Sequence, residues 1–192
     1  RDGNTGGHIK RTSQVVKILV DEMRKDKELE LSDEFYNALV SAAPMHDLGK
    51  IAIDDHILCK PGKFTDEELS IMRTHAEKGA DIVENLLSKM EEDPFFVKLS
   101  KNVANYHHEW WNGKGYPCGL SGENIPIEAR IMAVADVYDA LVSRRCYKDR
   151  FSFADAYGII ESSMGIQFDP SLKKYFEACN ERLKEYYLAV SH

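Results

Sequence analysis

The sequence predicts an all-α fold, and three observations carry that prediction. Apolar residues recur at helical spacing, as in Val15, Val16, Ile18, Leu19 and Met23. Helix-starting signals stand ahead of such stripes: Ser32 before Asp33 and Glu34, Thr65 three residues before Glu68, and Pro94 and Pro126. No segment alternates apolar and polar residues as a half-buried strand does. The chain of 192 residues is 43% hydrophobic and 30% charged, which suits one domain with a sizeable core. The expectation is a single compact bundle of about seven or more helices spanning residues 1–192.

The elements follow in order. A first helix covers roughly residues 3–24, with Gly6 and Gly7 weakening its start and His8 on its first turns. A second helix is capped by Ser32. Its apolar face of Phe35, Leu39, Val40 and Ala43 leads into His46, and Pro44 is placed to bend it. A short element and turn occupy Asp54 to Lys63. The Thr65–Glu68 capping box starts a helix running to about Ser88, with His75 inside it. Pro94 opens a helix that ends in His107 and His108. Residues 109–126 form a Gly/Pro-rich irregular loop, and loops of that length tend to be functional. Pro126 introduces a helix over 127–143. From Ser152 on, two more helices are separated at residues 165–170.

Charge and cysteine usage exclude several functions. The net charge of −7 argues against sequence-independent binding of a nucleic-acid polymer, which needs a basic face. An anionic substrate stays open, because bound cations can reverse the local field. No stretch is long and apolar enough to span a membrane, and no signal-peptide pattern is present. Cys59, Cys118, Cys146 and Cys179 are scattered without a CxxC pair and read as free thiols of a reducing cytosol. The chain starts at Arg1, and the expectation is a fragment of a longer cytoplasmic protein with an upstream domain.

The chemistry gathers around Ala43-Pro44-Met45-His46-Asp47-Leu48-Gly49-Lys50. Neutral imidazole gives one nitrogen to a metal, and a carboxylate can give an oxygen to each of two metals. At a helix end adjacent residues can converge, and Gly49 lets Lys50 turn back toward them. His8 alone reads as a solvated helical histidine, and His75, amid Arg73, Glu77 and Lys78, as a surface one. The His107-His108 pair reads either as a solvated helix cap or as two ligands. Asp136 and Asp139 lie in an otherwise apolar helix, where a carboxylate must be paired or bound to a metal, so one or other is a ligand or a structural acceptor. Taken together, His8, His46, Asp47, His75, His107, His108 and Asp136 can hold two divalent metals with a carboxylate bridge. Such donors suit iron or manganese, and also zinc or nickel. Arg144, Arg145, Lys148 and Arg150 form a basic stretch that reads either as a phosphate grip or as a solvated helix end.

The motifs in sequence resemble those of the HD-GYP family, a branch of the HD metal-dependent phosphohydrolases. His46-Asp47-Leu48-Gly49-Lys50-Ile51 resembles its HD-[IL]-GKI segment, and Lys60-Pro61-Gly62-Lys63-Phe64-Thr65 its KPG turn. His107-His108-Glu109-Trp110-Trp111-Asn112-Gly113-Lys114-Gly115-Tyr116-Pro117 resembles its HHE…GYP signature. Ala133-Val134-Ala135-Asp136-Val137-Tyr138-Asp139-Ala140-Leu141 resembles its AVAD…DAL helix. The resemblance implies a cyclic di-GMP phosphodiesterase that uses water activated between two metals and yields pGpG, with GMP as a second product. It implies that His46, Asp47, Asp136 and His8 serve one metal and His75, His107 and His108 the other, with Asp47 bridging. It further implies that Lys50 touches the scissile phosphate, that Tyr116 lines the pocket, and that Arg145 and Lys148 grip the substrate phosphates. An upstream sensor or receiver domain, diguanylate cyclase domains docking on the GYP loop, and a homodimer are the partners it suggests.

Three departures from the family pattern stand out. Asn4 occupies a position where many members carry a metal-binding glutamate, so two metals are expected rather than three. Trp110 stands where arginine is common. Arg144 and Cys146 alter the segment around Arg145 and Lys148. Two alternatives to the hydrolase are a slow cyclic dinucleotide receptor and a hydrolase of another cyclic dinucleotide.

Overall fold

The computed structural model describes residues 5–143 and 151–190. Helices α1 (Thr5–Met23), α2 (Asp33–Ala42), α3 (Asp55–Leu58), α4 (Asp66–Arg73) and α5 (His75–Lys89) form the first half. They are followed by α6 (Pro94–Tyr106), α7 (Ile127–Val142), α8 (Phe153–Ser162) and α9 (Lys173–Val190). Among the described residues there is no β-strand, only isolated bridges such as Asn112 with Ser121. None of the helices is long and apolar enough to cross a membrane.

The capping residues do what their chemistry predicts. The Ser32 side chain accepts the Phe35 N–H at 3.1 Å, and Asp93 accepts the Phe95 N–H at 2.8 Å ahead of Pro94. Thr65 and Glu68 close a reciprocal capping box. Two boundaries differ from the sequence reading. The helix expected to run on toward His46 stops at Ala42, and the chain tightens into a 3₁₀ turn over Ala43–Met45 with Pro44 near its start. The helix expected from Thr65 to Ser88 is two helices, broken at Thr74. There the backbone N–H turns to the Ile71 carbonyl at 3.1 Å, and the hydroxyl donates to the same oxygen at 2.6 Å. That break is what turns His75 inward.

The core joins α1, α2, α6, α7, α8 and α9 in one cluster, with Val20, Leu39, Val103, Val134, Tyr138 and Leu183 fully buried. α1 lies against α2, α7 and α9, while α6 packs on α2, α5 and α7. The turn over Leu48–Ala52 lies directly on α5. Its closest approach is Gly49, where an added Cβ would stand 1.8 Å from the His75 carbonyl oxygen and 2.5 Å from the Gly79 nitrogen. The 109–126 loop is held from outside. Trp111 and Asn112 donate their N–H groups to Gln167 and Ile166, each at 3.0 Å. Arg130 ties Ile125 to the buried Asp169.

Gly49→Ala is expected to cost about 3 kcal/mol, a fall in Tm of roughly 6–12 °C, because backbone must move to admit the methyl group. Gly158→Ala, exposed in α8 with nothing within 4 Å of the new Cβ, should raise Tm by roughly 2–4 °C. Thermal unfolding of both variants checks the contrast, and equal effects would contradict the close packing at Gly49.

Candidate metal centre

Five elements deliver side chains to one point. α1 brings His8, the turn after α2 brings His46 and Asp47, α5 opens with His75, the end of α6 gives His107 and His108, and mid-α7 gives Asp136. His46 caps the 3₁₀ turn in helical conformation, whereas Asp47 sits at φ −102, ψ 11 and starts the next turn. That change of direction makes the adjacent pair converge.

The donors form two sets that share Asp47. One is Asp47, His75, His107 and His108; the other is His8, His46, Asp47 and Asp136. Within each set the donor atoms all lie within 4.8 Å of one another. The two oxygens of Asp47 face different sets. Oδ1 is 3.4 Å from His75 Nε2 and 3.6 Å from His107 Nε2. Oδ2 is 3.5 Å from His46 Nε2 and 3.6 Å from His8 Nε2, and it accepts a hydrogen bond from Lys50 Nζ at 2.5 Å.

The imidazoles are oriented by their other nitrogen. Nδ1 of His46 donates to the Ala43 carbonyl at 2.8 Å, that of His75 to Met72 at 2.6 Å, and that of His107 to Val103 and Ala104 at 3.0 Å. A carbonyl only accepts, so each Nδ1 carries a proton and each Nε2 is the atom turned to the centre. Asp47 Oδ1, His75 Nε2 and His107 Nε2 are buried and have no hydrogen-bond partner. Orphaned polar atoms of this kind are costly, and a divalent cation among them would satisfy all three at once. The residues present therefore fit a metal.

Charge states differ between the two donor sets. Burial lowers the pKa of His107, and that of His108 well below the ordinary value, with neighbouring histidines adding to the effect. Burial opposes ionisation of Asp47 and Asp136. His46 and Lys50 outweigh it for Asp47, and a hydrogen bond and the charge of His46 outweigh it for Asp136, so both carboxyls stay far below the usual range. His107 and His108 are thus held neutral, whereas the carboxylates around His8 and His46 outweigh burial and raise both, His8 to about 9, so the set around Asp136 carries protons that a bound cation would displace.

Asp139 is not in either donor set. It is buried one turn from Asp136 and accepts His8 Nδ1–H at 2.7 Å, Arg11 Nε–H at 2.7 Å, the Ser143 hydroxyl at 2.9 Å and the Tyr187 hydroxyl at 2.6 Å. Burial works against its charge, but His8, Arg11 and Tyr187 bring its pKa down to about 2. The sequence left Asp136 and Asp139 open as ligand or acceptor; the structure makes Asp136 the donor-set member and Asp139 the acceptor that orients His8. Arg11 and Tyr187 were not singled out from sequence, since nothing local joins them to Asp139.

The irregular loop covers one side of the centre. Glu109 is buried, and its two oxygens accept the N–H groups of Cys118 at 2.6 Å and Leu120 at 3.0 Å. Gly115 has no room for a Cβ, which would meet Trp110 N at 2.3 Å and His108 O at 2.4 Å. Its neighbour Tyr116 stacks on the His108 ring with centroids 4.8 Å apart and planes at 19°. So the structure brings His8, His46, Asp47, His75, His107, His108 and Asp136 together, with Lys50 on Asp47 and Tyr116 on His108, and His75 is buried rather than on the surface. Arg145 and Lys148, and the departures at Asn4, Arg144 and Cys146, lie outside the described residues.

A family model described as HD domain matches residues 5–172. A cyclic di-GMP phosphodiesterase of Vibrio cholerae serotype O1 is 42% identical over 187 residues, covering 95% of this chain and 37% of the relative. A 3'3'-cGAMP-specific phosphodiesterase 2 of the same organism is 36% identical over 172 residues, covering 90% of this chain and 31% of the relative. The chain thus spans about a third of the length of these curated relatives. The solved structure of an HDG"Y"P protein from Bdellovibrio bacteriovorus superposes with a TM-score of 0.65 at 18% identity, covering 92% of this chain and 51% of the other, a likeness of fold.

Asp139→Asn keeps the size of the side chain but turns an amide N–H₂ toward Arg11 or His8. Divalent-metal affinity should fall by about 10–100-fold, as it does when a ligand histidine loses its carboxylate partner. Titration of metal-free protein with manganese measures this, and wild-type affinity would contradict the orienting role.

Proposed function

The chain belongs to the HD domain family, and from that premise we propose that it is a metal-dependent phosphodiesterase hydrolysing cyclic di-GMP to linear pGpG, with a second cut to GMP open to the same centre. One observation carries the reading: a buried carboxylate, Asp47, turns each of its oxygens to a different set of histidines and carries Lys50 beside it. The substrate class is supported by the relatives named cyclic di-GMP phosphodiesterases, which are longer proteins. On this reading two divalent ions, iron or manganese foremost, are held by His8, His46, Asp47 and Asp136 on one side and by Asp47, His75, His107 and His108 on the other. When bound, such a pair supplies Lewis acidity and lowers the pKa of water near neutrality.

The chain's own residues do the rest. Asp47 holds the two donor sets in register. Lys50, with its side chain 39% exposed at the rim, neutralises charge that grows on the phosphate oxygens. Tyr116 walls the pocket from the loop side, where its stacking on His108 fixes the ring. Arg145 and Lys148 are assigned to the phosphates on the resemblance alone. A second reading keeps the chemistry and changes the base, because a relative 36% identical is named for 3'3'-cGAMP.

Anaerobic purification, elemental analysis and chromatography of products from cyclic di-GMP test the reading together. About two metals per chain with pGpG or GMP formed is the expected result. Asp47→Ala should lose metal and turnover together, and Lys50→Ala should keep its metal while kcat falls about 10²-fold. Full metal occupancy with cyclic di-GMP left intact would sink the proposed substrate and favour a receptor or another cyclic dinucleotide.

A further inference from the structure

We propose that Arg73 is a substrate-specificity residue that holds the second, non-scissile phosphodiester of a cyclic dinucleotide. The inference rests on the hydrolase reading above and adds a residue that neither motif nor comparison points to. Arg73 is the last residue of α4, exposed, two positions before the donor His75. Its guanidinium carbon stands 5.1 Å from the centroid of the Tyr116 ring. That ring is stacked in turn on the donor His108. Arg73, Tyr116 and His108 therefore form a pile that starts at the metal centre and ends in a cation at its rim.

The charge of that cation is not cancelled. Among the described residues no carboxylate lies within ion-pair distance of Arg73, whereas Lys50, the nearer cation, already has Asp47. Lys17 is paired with Asp21 and Lys60 with Glu68, whereas Arg73 stands over the Tyr116 ring instead. An unpaired arginine beside a site built for cations repels metal and gains nothing there until an anion arrives. Stacking on Tyr116 leaves its edge free, and that edge is a planar fork of N–H donors matched to two phosphate oxygens. One phosphate of a cyclic dinucleotide lies at the metals for cleavage. The other is carried on the far side of the ring, one side chain away, which is the offset that the Tyr116 ring sets between His108 and Arg73.

The test compares cyclic di-GMP with the linear dinucleoside monophosphate GpG, which has both guanines and one phosphodiester but no second phosphate. Arg73→Gln should raise KM for cyclic di-GMP at least about tenfold with kcat within about threefold, while GpG, read as substrate or competitive inhibitor, shifts less than about threefold. Arg73→Lys, which keeps the charge and loses the fork, should fall between. Metal content, measured in parallel, should stay at the wild-type value. An equal effect on GpG would mean that Arg73 reads a guanine or the scissile phosphate, and no effect on cyclic di-GMP would remove it from the site; either overturns the proposal. Wild-type protein that binds cyclic di-GMP without hydrolysing it would end the hydrolase reading, and Arg73 is then judged on Kd: about tenfold weaker in Arg73→Gln supports it, an equal Kd overturns it. Wild-type protein that neither binds nor hydrolyses cyclic di-GMP overturns both.

Discussion

A carboxylate buried among imidazoles has to be compensated, and the structure around Asp47 is arranged to do that. Asp47 is 8% exposed, yet it stays ionised because His46 and Lys50 stand against it. The same side chain needs both of its oxygens, one toward His75 and His107 and one toward His8 and His46. No helical residue could meet that demand from a helix interior, where neighbours diverge. The end of α2 meets it: Pro44 tightens the chain into a 3₁₀ turn, Asp47 leaves the helical region, and Gly49 lets the following turn lie against α5. The close Gly49–His75 approach is therefore part of the same construction as the donor geometry.

The second constraint is orientation. An imidazole that can rotate is a poor ligand, and each donor whose ring nitrogen is tied down is tied to something rigid. His46, His75 and His107 use backbone carbonyls three or four residues back, so helix ends and turns fix them locally. His8 Nδ1 instead uses Asp139, which also receives Arg11 from α1, Ser143 from the end of α7 and Tyr187 from α9. The His8 arm is thus held by tertiary contacts, and it depends on the packing of three helices in a way the other arms do not.

This difference explains what could be read from the sequence. His46, Asp47, His107, His108 and Asp136 sit in contiguous motifs whose spacing is local, and the structure brings them together. His75 looked like a surface residue because its burial depends on the break at Thr74, which the capping box at Thr65 conceals by promising one continuous helix. Burial in an apolar helix did not by itself separate Asp136 from Asp139; the AVAD-like motif put Asp136 in the candidate set and gave Asp139 no role. Only the arrival of Arg11 and Tyr187 from distant parts of the chain assigns Asp139 its role as an acceptor. The all-α class was legible because caps and apolar stripes repeat along the chain; the order of packing was not, because it rests on contacts such as α1 with α9 that no local pattern encodes.

The two sides of the centre differ in a way that fixes the direction of approach. On the core side His46 and His107 are fully closed off at the side chain, and the Asp139 network lies behind His8. On the other side Lys50 is exposed, Tyr116 is half-buried, and Arg73 stands over the Tyr116 ring. An anion repelled by the net charge of −7 at long range meets two cations at that rim, Lys50 and Arg73. The loop there is irregular but not loose: Glu109 is spent on two backbone N–H groups, and Gly115 is packed too tightly for any larger residue. An anion arriving at this rim therefore meets a fixed wall and two cations, with the shared carboxylate directly behind them.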